Sequence, residues 1–249
     1  MADPGAGRMQ DVVRSLGRPV HRFFWKVDVE GLYRLPPRGG AILCPNHISF
    51  LDSAFLMLCV PRRISFVGKA EYMDSWKTKY IFPAMGMIPI DRSGGRSSDA
   101  ALQAASSALA RGDLFGIFPE GTRSRSGLLH KGHTGAARLA LSSGCPIFPV
   151  GVIGTAEIQP PDAKMPKLFK SACIRIGQPI DVARYKGREG DHLVYRELTD
   201  ELMYEIRELT GQQYVDKYAT KKAETLPSDV AKVRLGEPVD AEPELARAG

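Results

Sequence analysis

Residues 41–59 read AILCPNHISFLDSAFLMLC. The run AILC (41–44) is apolar, unbroken and short, which suits a buried strand rather than a buried helix. NHISFLD (46–52) interrupts it with polar residues, and an apolar stretch over 52–59 reads as a helix. A strand that ends in a polar turn and hands over to a helix is the repeating unit of a parallel α/β sheet, and such sheets gather ligands at the carboxyl ends of their strands. His47 and Asp52 fall at that place. Residues five apart in one helix diverge by about 140°, so the two side chains meet only if His47 lies in the turn and Asp52 in the first helical turn. A carboxylate on one imidazole nitrogen would then hold the tautomer and leave the other nitrogen free as a base. Asp52 reads equally well as a helix cap favoured by the dipole, with His47 a satisfied loop residue.

The alternation continues outward from this stretch. RISFVG (63–68), MIPI (87–90), DLFGIF (113–118), PIFPVGVI (146–153) and ACIRIG (172–177) read as strands. AEYMDSWKTKYIF (70–82), DAALQAASSALARG (99–112) and KGHTGAARLALSSG (131–144) read as helices. Leu193, Leu198, Leu202, Ile206 and Leu209 mark an amphipathic helix over about 191–218. The expectation is one α/β domain over 35–220, with a largely parallel central sheet flanked by helices. Ahead of it, within 11–34, VVRSLGRPVHRFFWKV (12–27) sets apolar residues at three- and four-residue steps opposite Arg14, Arg18, Arg22 and Lys26. That is an amphipathic helix, bent or interrupted near Pro19. Bases opposite aromatics suit a membrane interface, and they suit a core-docked helix with its basic face in water just as well. Residues 1–10 and the tail 221–249 are expected to be disordered.

Composition narrows the function classes. The chain has 249 residues, 43% hydrophobic and 25% charged, enough for a sizeable core. The formal charge of +6 is uneven: residues 223–249 hold six acids against three bases, which leaves 31 bases and 22 acids, or +9, in residues 1–222. A basic body implies an anionic partner such as a phosphate-bearing substrate or an anionic lipid surface. No recognition-helix or base-stacking pattern accompanies the charge, so nucleic acid is not an expected partner. Cys44, Cys59, Cys145 and Cys173 are scattered in apolar stretches and form no CxxC pair, which reads as reduced thiols without metal or disulfide. The start MADPGAGRMQ carries no signal-peptide pattern, and AFLMLCV (54–60) falls short of the roughly 20 residues of a spanning helix. Neither a GxSxG elbow nor a GxxxxGKS/T loop is present, so no serine nucleophile or nucleotide site of those kinds is expected.

Three more stretches carry polar chemistry to strand ends. In FPEGTRS (118–124), Gly121 permits close backbone approach, Glu120 would hold a polar substrate or brace Arg123, and Arg123 offers a planar fork for phosphate. Arg125, Lys131 and His133 follow closely. MIPIDR (87–92) delivers Asp91 and Arg92. PIFPVGVIG (146–154) has Pro149 inside a strand, which points to an edge or a bulge, with a pocket wall and plain core both open.

Taken in order, NH-x-S-x-x-D, G-x-I-x-I-D-R, F-P-E-G-T-R-S and the Pro-containing strand resemble, over about 28–180, the glycerolipid acyltransferases, specifically the 1-acyl-sn-glycerol-3-phosphate acyltransferases. The resemblance implies that His47 is the general base and Asp52 its orienting partner. It places Arg92, Glu120, Gly121, Thr122 and Arg123 around the acceptor's glycerol phosphate, adds Lys131 through a looser match at Lys131-Gly132, and sets Pro149 and Val150 on the acyl-donor side. It implies acyl-CoA or acyl-ACP as co-substrate, a lysophospholipid acceptor, no metal or redox cofactor, and peripheral attachment to an anionic membrane at its cytoplasmic face. Acylation of glycerol 3-phosphate or another lysophospholipid is the alternative within the family, and a non-catalytic lipid-binding module the alternative outside it.

Overall fold

The structure, a computed structural model, describes residues 4–69, 82–83, 86–90 and 97–220. Its strands are β1 (Trp25–Glu30), β2 (Ala41–Pro45), β3 (Ile64–Lys69), β4 (Met87–Ile90), β5 (Leu114–Gly116), β6 (Leu129–His130), β7 (Ile147–Ile153), β8 (Lys170–Ile176) and β9 (Tyr214–Val215). Seven of them form one sheet in the order β1-β8-β7-β2-β5-β3-β4, and β6 pairs with β9 in a small second sheet. Every pairing in the large sheet is parallel except β7 with β8. The helices are α1 (Pro4–Phe24), α2 (Leu51–Cys59), α3 (Ser97–Ala110), α4 (Gly135–Ser143), α5 (Thr155–Ile158) and α6 (His192–Thr210).

Burial follows the two-residue period of the strands. Ile42 and Cys44 of β2 join Ile147 and Phe115 in a core shared with α3, α4 and α6. Ala41 and Leu43 point the other way, with Leu114 and Val150, into a core shared with α2 and with Val13 of α1. Helices therefore cover both faces of the sheet, and this is why β2 is buried at every position and its sequence shows no polar alternation. β2 lies between β7 and β5, so the turn that follows it opens near the middle of the sheet.

Several expectations need correction. The helix expected at 131–144 begins only at Gly135, because β6 and the hydrogen bond from the Lys131 N–H to the Lys217 carbonyl hold the preceding residues extended. α6 stops at Thr210 rather than near 218: Gly211 takes φ 69° and the chain returns as β9. Pro149 sits in an interior strand, not at an edge, and beside it the antiparallel register slips by one residue, from Val150 with Ile176 to Ile147 with Ile180, as a bulge requires. Pairing with β8 starts one residue later, at Val150 with Ile176, and the Pro149 carbonyl accepts the Gly177 N–H at 2.8 Å. Its missing N–H thus falls where no ladder bond is required. The helix expected over 70–82 lies mostly outside the described residues, as do Asp91, Arg92 and the tail 221–249.

α1 departs furthest from expectation. It starts at Pro4, inside the stretch expected to be disordered, and runs through Pro19 without interruption. Its basic face, not its apolar face, is turned to the protein. Arg14 is buried and donates from Nε to the Met57 carbonyl (3.1 Å) and from Nη2 to the Arg62 carbonyl (2.7 Å), while Arg18 Nε donates to the Leu58 carbonyl (2.8 Å). Met57 and Leu58 end α2, whose last carbonyls have no partner within the helix, so the two guanidinium groups satisfy them where the helix dipole also favours positive charge. The Gln10 amide pairs with both backbone groups of Ile64, and Gly17 leaves room for Leu58, whose Cδ2 would lie 2.8 Å from a Cβ at that position. Met9, Val12, Leu16, Val20 and Phe23 consequently face outward, Leu16 and Phe23 at 70% and 72% exposure. Among the described residues no helix is both long and apolar enough to cross a membrane.

Removing Arg14 strands the buried Met57 carbonyl and takes a donor from the half-buried Arg62 carbonyl. Arg14→Ala should lower the unfolding free energy by about 2–3 kcal/mol in urea titration, while Arg22→Ala, on the exposed side, should stay within about 0.5 kcal/mol. Equal effects would show that the docked face has been misassigned.

Candidate active site

The turn after β2 is built by side chains that act as backbone. Asn46, fully buried, accepts the Val152 N–H on Oδ1 (2.7 Å) and donates from Nδ2 to the Val152 carbonyl (2.9 Å), so it extends the β2–β7 ladder by one pair after the β2 backbone has turned away. Asp52 stands in the first turn of α2 and is fully buried. Its Oδ2 collects the Ile48 N–H and Ser49 N–H, both at 2.8 Å, and the His47 ring at Nδ1, 3.0 Å. The two readings of the sequence hold together: the carboxylate secures the head of the helix and orients the imidazole. An ionised carboxylate only accepts, so Nδ1 carries the proton and Nε2 is left with its lone pair.

His47 is gripped by the FPEGTRS loop as well. The Phe118 ring stacks on the imidazole with centroids 3.8 Å apart. Glu120 Oε1 accepts the His47 backbone N–H at 2.9 Å, and the Ser124 N–H donates to the His47 carbonyl at 2.7 Å. Glu120 Oε2 accepts the His130 N–H at 3.0 Å. Glu120 is 1% exposed and both of its oxygens are spent on backbone, so it neither holds an acceptor nor braces Arg123; it ties the histidine turn to β6. Burial raises its pKa to about 8, with the two amide donors pulling the other way and the nearby Asp52 adding a smaller upward push.

His47 opens, 18% exposed in its side chain, into a cavity of about 520 Å³. The described residues place no hydrogen-bond partner on Nε2. The rim is polar, with Thr122, Arg123, Arg125 and His133, and the interior is apolar, with Phe66, Met87, Leu102, Ala105 and Phe115 from β3, β4, α3 and β5. Gly121 lines the rim at φ 72°, and a Cβ there would lie 3.0 Å from the His133 ring. Arg123 Nη1 donates to the Pro161 carbonyl at 2.7 Å, which holds the guanidinium at the rim.

The structure thus brings His47, Asp52, Gly121, Thr122 and Arg123 together. It sets three expected residues apart. Lys131 lines a different cavity, beside Tyr204 and Arg207, and pairs with Asp216 at 2.8 Å. Pro149 and Val150 are buried in β7 and do not line the cavity of His47, so the apolar lining comes from β3 to β5 instead. Sequence reasoning gave no role to Phe118 or Asn46. Both lie in stretches already singled out, but the loop has no period that separates its supporting residues from its lining residues, since Thr122 lies between Glu120 and Ser124 at the same spacing and lines the cavity. Gln212, which accepts from Asn46 Nδ2 at 2.9 Å, is 166 positions away and left no local signal.

The family model for acyltransferases matches residues 26–153. The chain is 32% identical to the chloroplastic 1-acyl-sn-glycerol-3-phosphate acyltransferase of Arabidopsis thaliana over 138 residues, 55% of this chain and 38% of the relative. It is 29% identical to the 1-acyl-sn-glycerol-3-phosphate acyltransferase of Borreliella burgdorferi over 130 residues, 52% of each chain. The matched stretch therefore spans between 38% and 52% of these relatives. The crystal structure of the 1-acyl-sn-glycerophosphate acyltransferase PlsC from Thermotoga maritima shares the fold, with a TM-score of 0.64 and 22% identity over 84% of this chain and 82% of that one.

The raised pKa of Glu120 has a signed consequence. A carboxyl whose folded pKa lies above its unfolded value contributes stability below about pH 4.5 that is lost as pH rises through about 8. The melting temperature should therefore fall between about pH 5 and pH 9, and fall less in Glu120→Gln, whose side chain stays neutral. Parallel curves in thermal unfolding would remove Glu120 as the cause.

Proposed function

The chain belongs to the acyltransferase family, and on that footing we propose that it moves the acyl group of acyl-CoA or acyl-ACP onto the free hydroxyl of lysophosphatidic acid, giving phosphatidic acid. One observation carries the reading: an imidazole whose Nδ1 is fixed by a buried carboxylate presents Nε2 to a cavity that is cationic at its mouth and apolar inside. His47 Nε2 takes the proton of the acceptor hydroxyl as its oxygen attacks the thioester carbonyl. The C–S bond breaks when the tetrahedral adduct collapses, and the imidazolium returns the proton to the departing thiolate. Transfer is direct, in keeping with a base whose nearest serine hydroxyls, Ser49 and Ser53, donate to the Gln159 and Phe50 carbonyls rather than to Nε2.

Arg123 supports a phosphate-bearing acceptor, since it lines the cavity and a guanidinium has donors beyond the one given to the Pro161 carbonyl. Arg92, outside the described residues, is proposed as a second phosphate ligand by resemblance. The apolar interior suits an acyl chain. Because the acceptor and product are lipids and acyl thioesters are water-borne, the reaction is placed at the cytoplasmic face of a membrane.

The test is thiol release from palmitoyl-CoA with lysophosphatidic acid as acceptor. His47→Ala should reduce turnover on the order of 10²–10⁴-fold. Arg123→Ala should raise the acceptor KM by about tenfold with a smaller effect on kcat. Release that continues without acceptor would recast the protein as a thioesterase, and full activity in His47→Ala would end the general-base assignment.

A further inference from the structure

We propose that Gln212 is a positioning residue for the transfer: from beyond the stretch that the family model matches, it locks the turn that carries His47 to the far end of the loop that begins at FPEGTRS. The effect on turnover rests on the acyltransferase reading; the lock on His47 does not.

The end of α6 delivers Gln212 to the site. Leu209 packs on β7 at Gly151, where a Cβ would lie 2.9 Å from the Leu209 Cβ, and Arg175 Nη1 donates to the Leu209 carbonyl at 3.1 Å. Gly211 then stops the helix at φ 69°, and the Gln212 N–H donates to Thr210 Oγ1 at 3.2 Å. The Gln212 amide lies between two loops. Its Oε1 accepts from Asn46 Nδ2 at 2.9 Å, and its Nε2 donates to the Gly127 carbonyl at 2.7 Å. Beyond it, the Gln213 and Lys217 carbonyls accept the Leu129 and Lys131 N–H groups, each at 3.0 Å, and the Tyr218 ring stacks on His133 of the cavity rim at 4.4 Å. Residues 212–218 thus brace the chain from Gly127 to His133, and Gln212 is the point where this brace meets the catalytic turn.

Asn46 shows why the link must be a glutamine. It is fully buried, and Val152 takes its Oδ1 and one Nδ2 hydrogen, so the second Nδ2 hydrogen needs an acceptor inside the protein. Gln212 Oε1 is that acceptor. The Gly127 carbonyl sets which end of the Gln212 amide faces Asn46, because a carbonyl takes only a donor. A glutamate carboxylate would stand against that carbonyl, an asparagine is one methylene too short, and an apolar side chain leaves the Asn46 hydrogen unpaired.

Asn46 directly precedes His47 in the chain, and its side chain ties the turn to β7. Gln212 carries that tie onward to the loop whose Phe118, Glu120 and Ser124 hold the ring, amide and carbonyl of His47. Losing it frees the Asn46 amide to rotate and the turn to shift against the loop, and a displacement of a reacting group by about 1 Å can cost roughly 10²-fold in rate. Gln212 is not among the residues that line the cavity, so its effect belongs in kcat rather than in KM.

Thiol release from palmitoyl-CoA with lysophosphatidic acid tests the role in the full chain. Gln212→Ala should lower kcat on the order of 10–100-fold and leave both KM values within about twofold. Gln213→Ala, at the exposed neighbouring position, should match the parent. In an Asn46→Ala background, Gln212→Ala should cost less than about threefold, because the two side chains act as one unit. Gln212→Glu should approach the parent at low pH, where a protonated carboxyl donates to Gly127 and accepts from Asn46, and fall behind it as pH rises and the carboxyl ionises; Gln212→Leu should keep a ratio to the parent that does not change with pH. If Gln212→Ala does not fold, the Glu and Leu variants carry the comparison. A second readout needs no turnover: the His47 Nδ1 proton resonance of the ligand-free protein, identified by its loss in His47→Asn, should be sharp in the parent and broadened in the Gln212 variants. No thiol release from the parent would remove the acyltransferase reading and leave this resonance to decide the lock. A resonance missing from the parent or unchanged in the variants, additive losses in the Asn46→Ala background, or a loss confined to KM would overturn the proposal.

Discussion

A single buried oxygen, Oδ2 of Asp52, organises the centre of this protein. It has left water completely, and a carboxylate in that position must be answered by donors. Two of the three are backbone N–H groups of residues 48 and 49, so the oxygen dictates the path of the chain between β2 and α2. The third is the His47 ring, so the same oxygen fixes the tautomer on which base chemistry depends. Helix start and imidazole orientation are thus one constraint. Weakening it would loosen both, and this couples the stability of the turn to the function proposed for it.

The FPEGTRS loop completes that constraint by dividing its labour. Phe118, Glu120 and Ser124 hold the ring, the amide and the carbonyl of His47, while Gly121, Thr122 and Arg123, together with Phe118 itself, line the cavity. One short stretch is therefore both support and lining. Glu120 shows how a charged residue in a motif can be misread: a carboxylate near an expected phosphate site suggests polar contact with substrate, but its two oxygens are wholly taken up by backbone amides.

α1 makes the corresponding point about amphipathic patterns. The spacing of Val12, Leu16, Val20 and Phe23 against Arg14, Arg18 and Arg22 defines two faces and does not say which meets the protein. The free carbonyls at the end of α2 decide it, because buried acceptors without donors would cost more than apolar side chains left at the surface. The helix then presents its apolar stripe outward.

The sequence by itself determined the strand–helix alternation and the parallel sheet, because these follow from local periods; it set His47 and Asp52 on either side of one short turn and left open whether their side chains meet. It also marked Gly121, Thr122 and Arg123, which travel with one strand end. Only the tertiary structure decided the rest. Lys131 and Arg123 are eight positions apart and face different cavities, because β6 is drawn off by β9 from the far end of the chain. Pro149 could sit inside the sheet because β8 arrives one residue beyond it. The apolar wall comes from β3, β4, α3 and β5 rather than from β7. Each of these depends on a partner that is distant in sequence, and local patterning carries no record of which distant group will arrive to satisfy a donor, cover a face or leave it open.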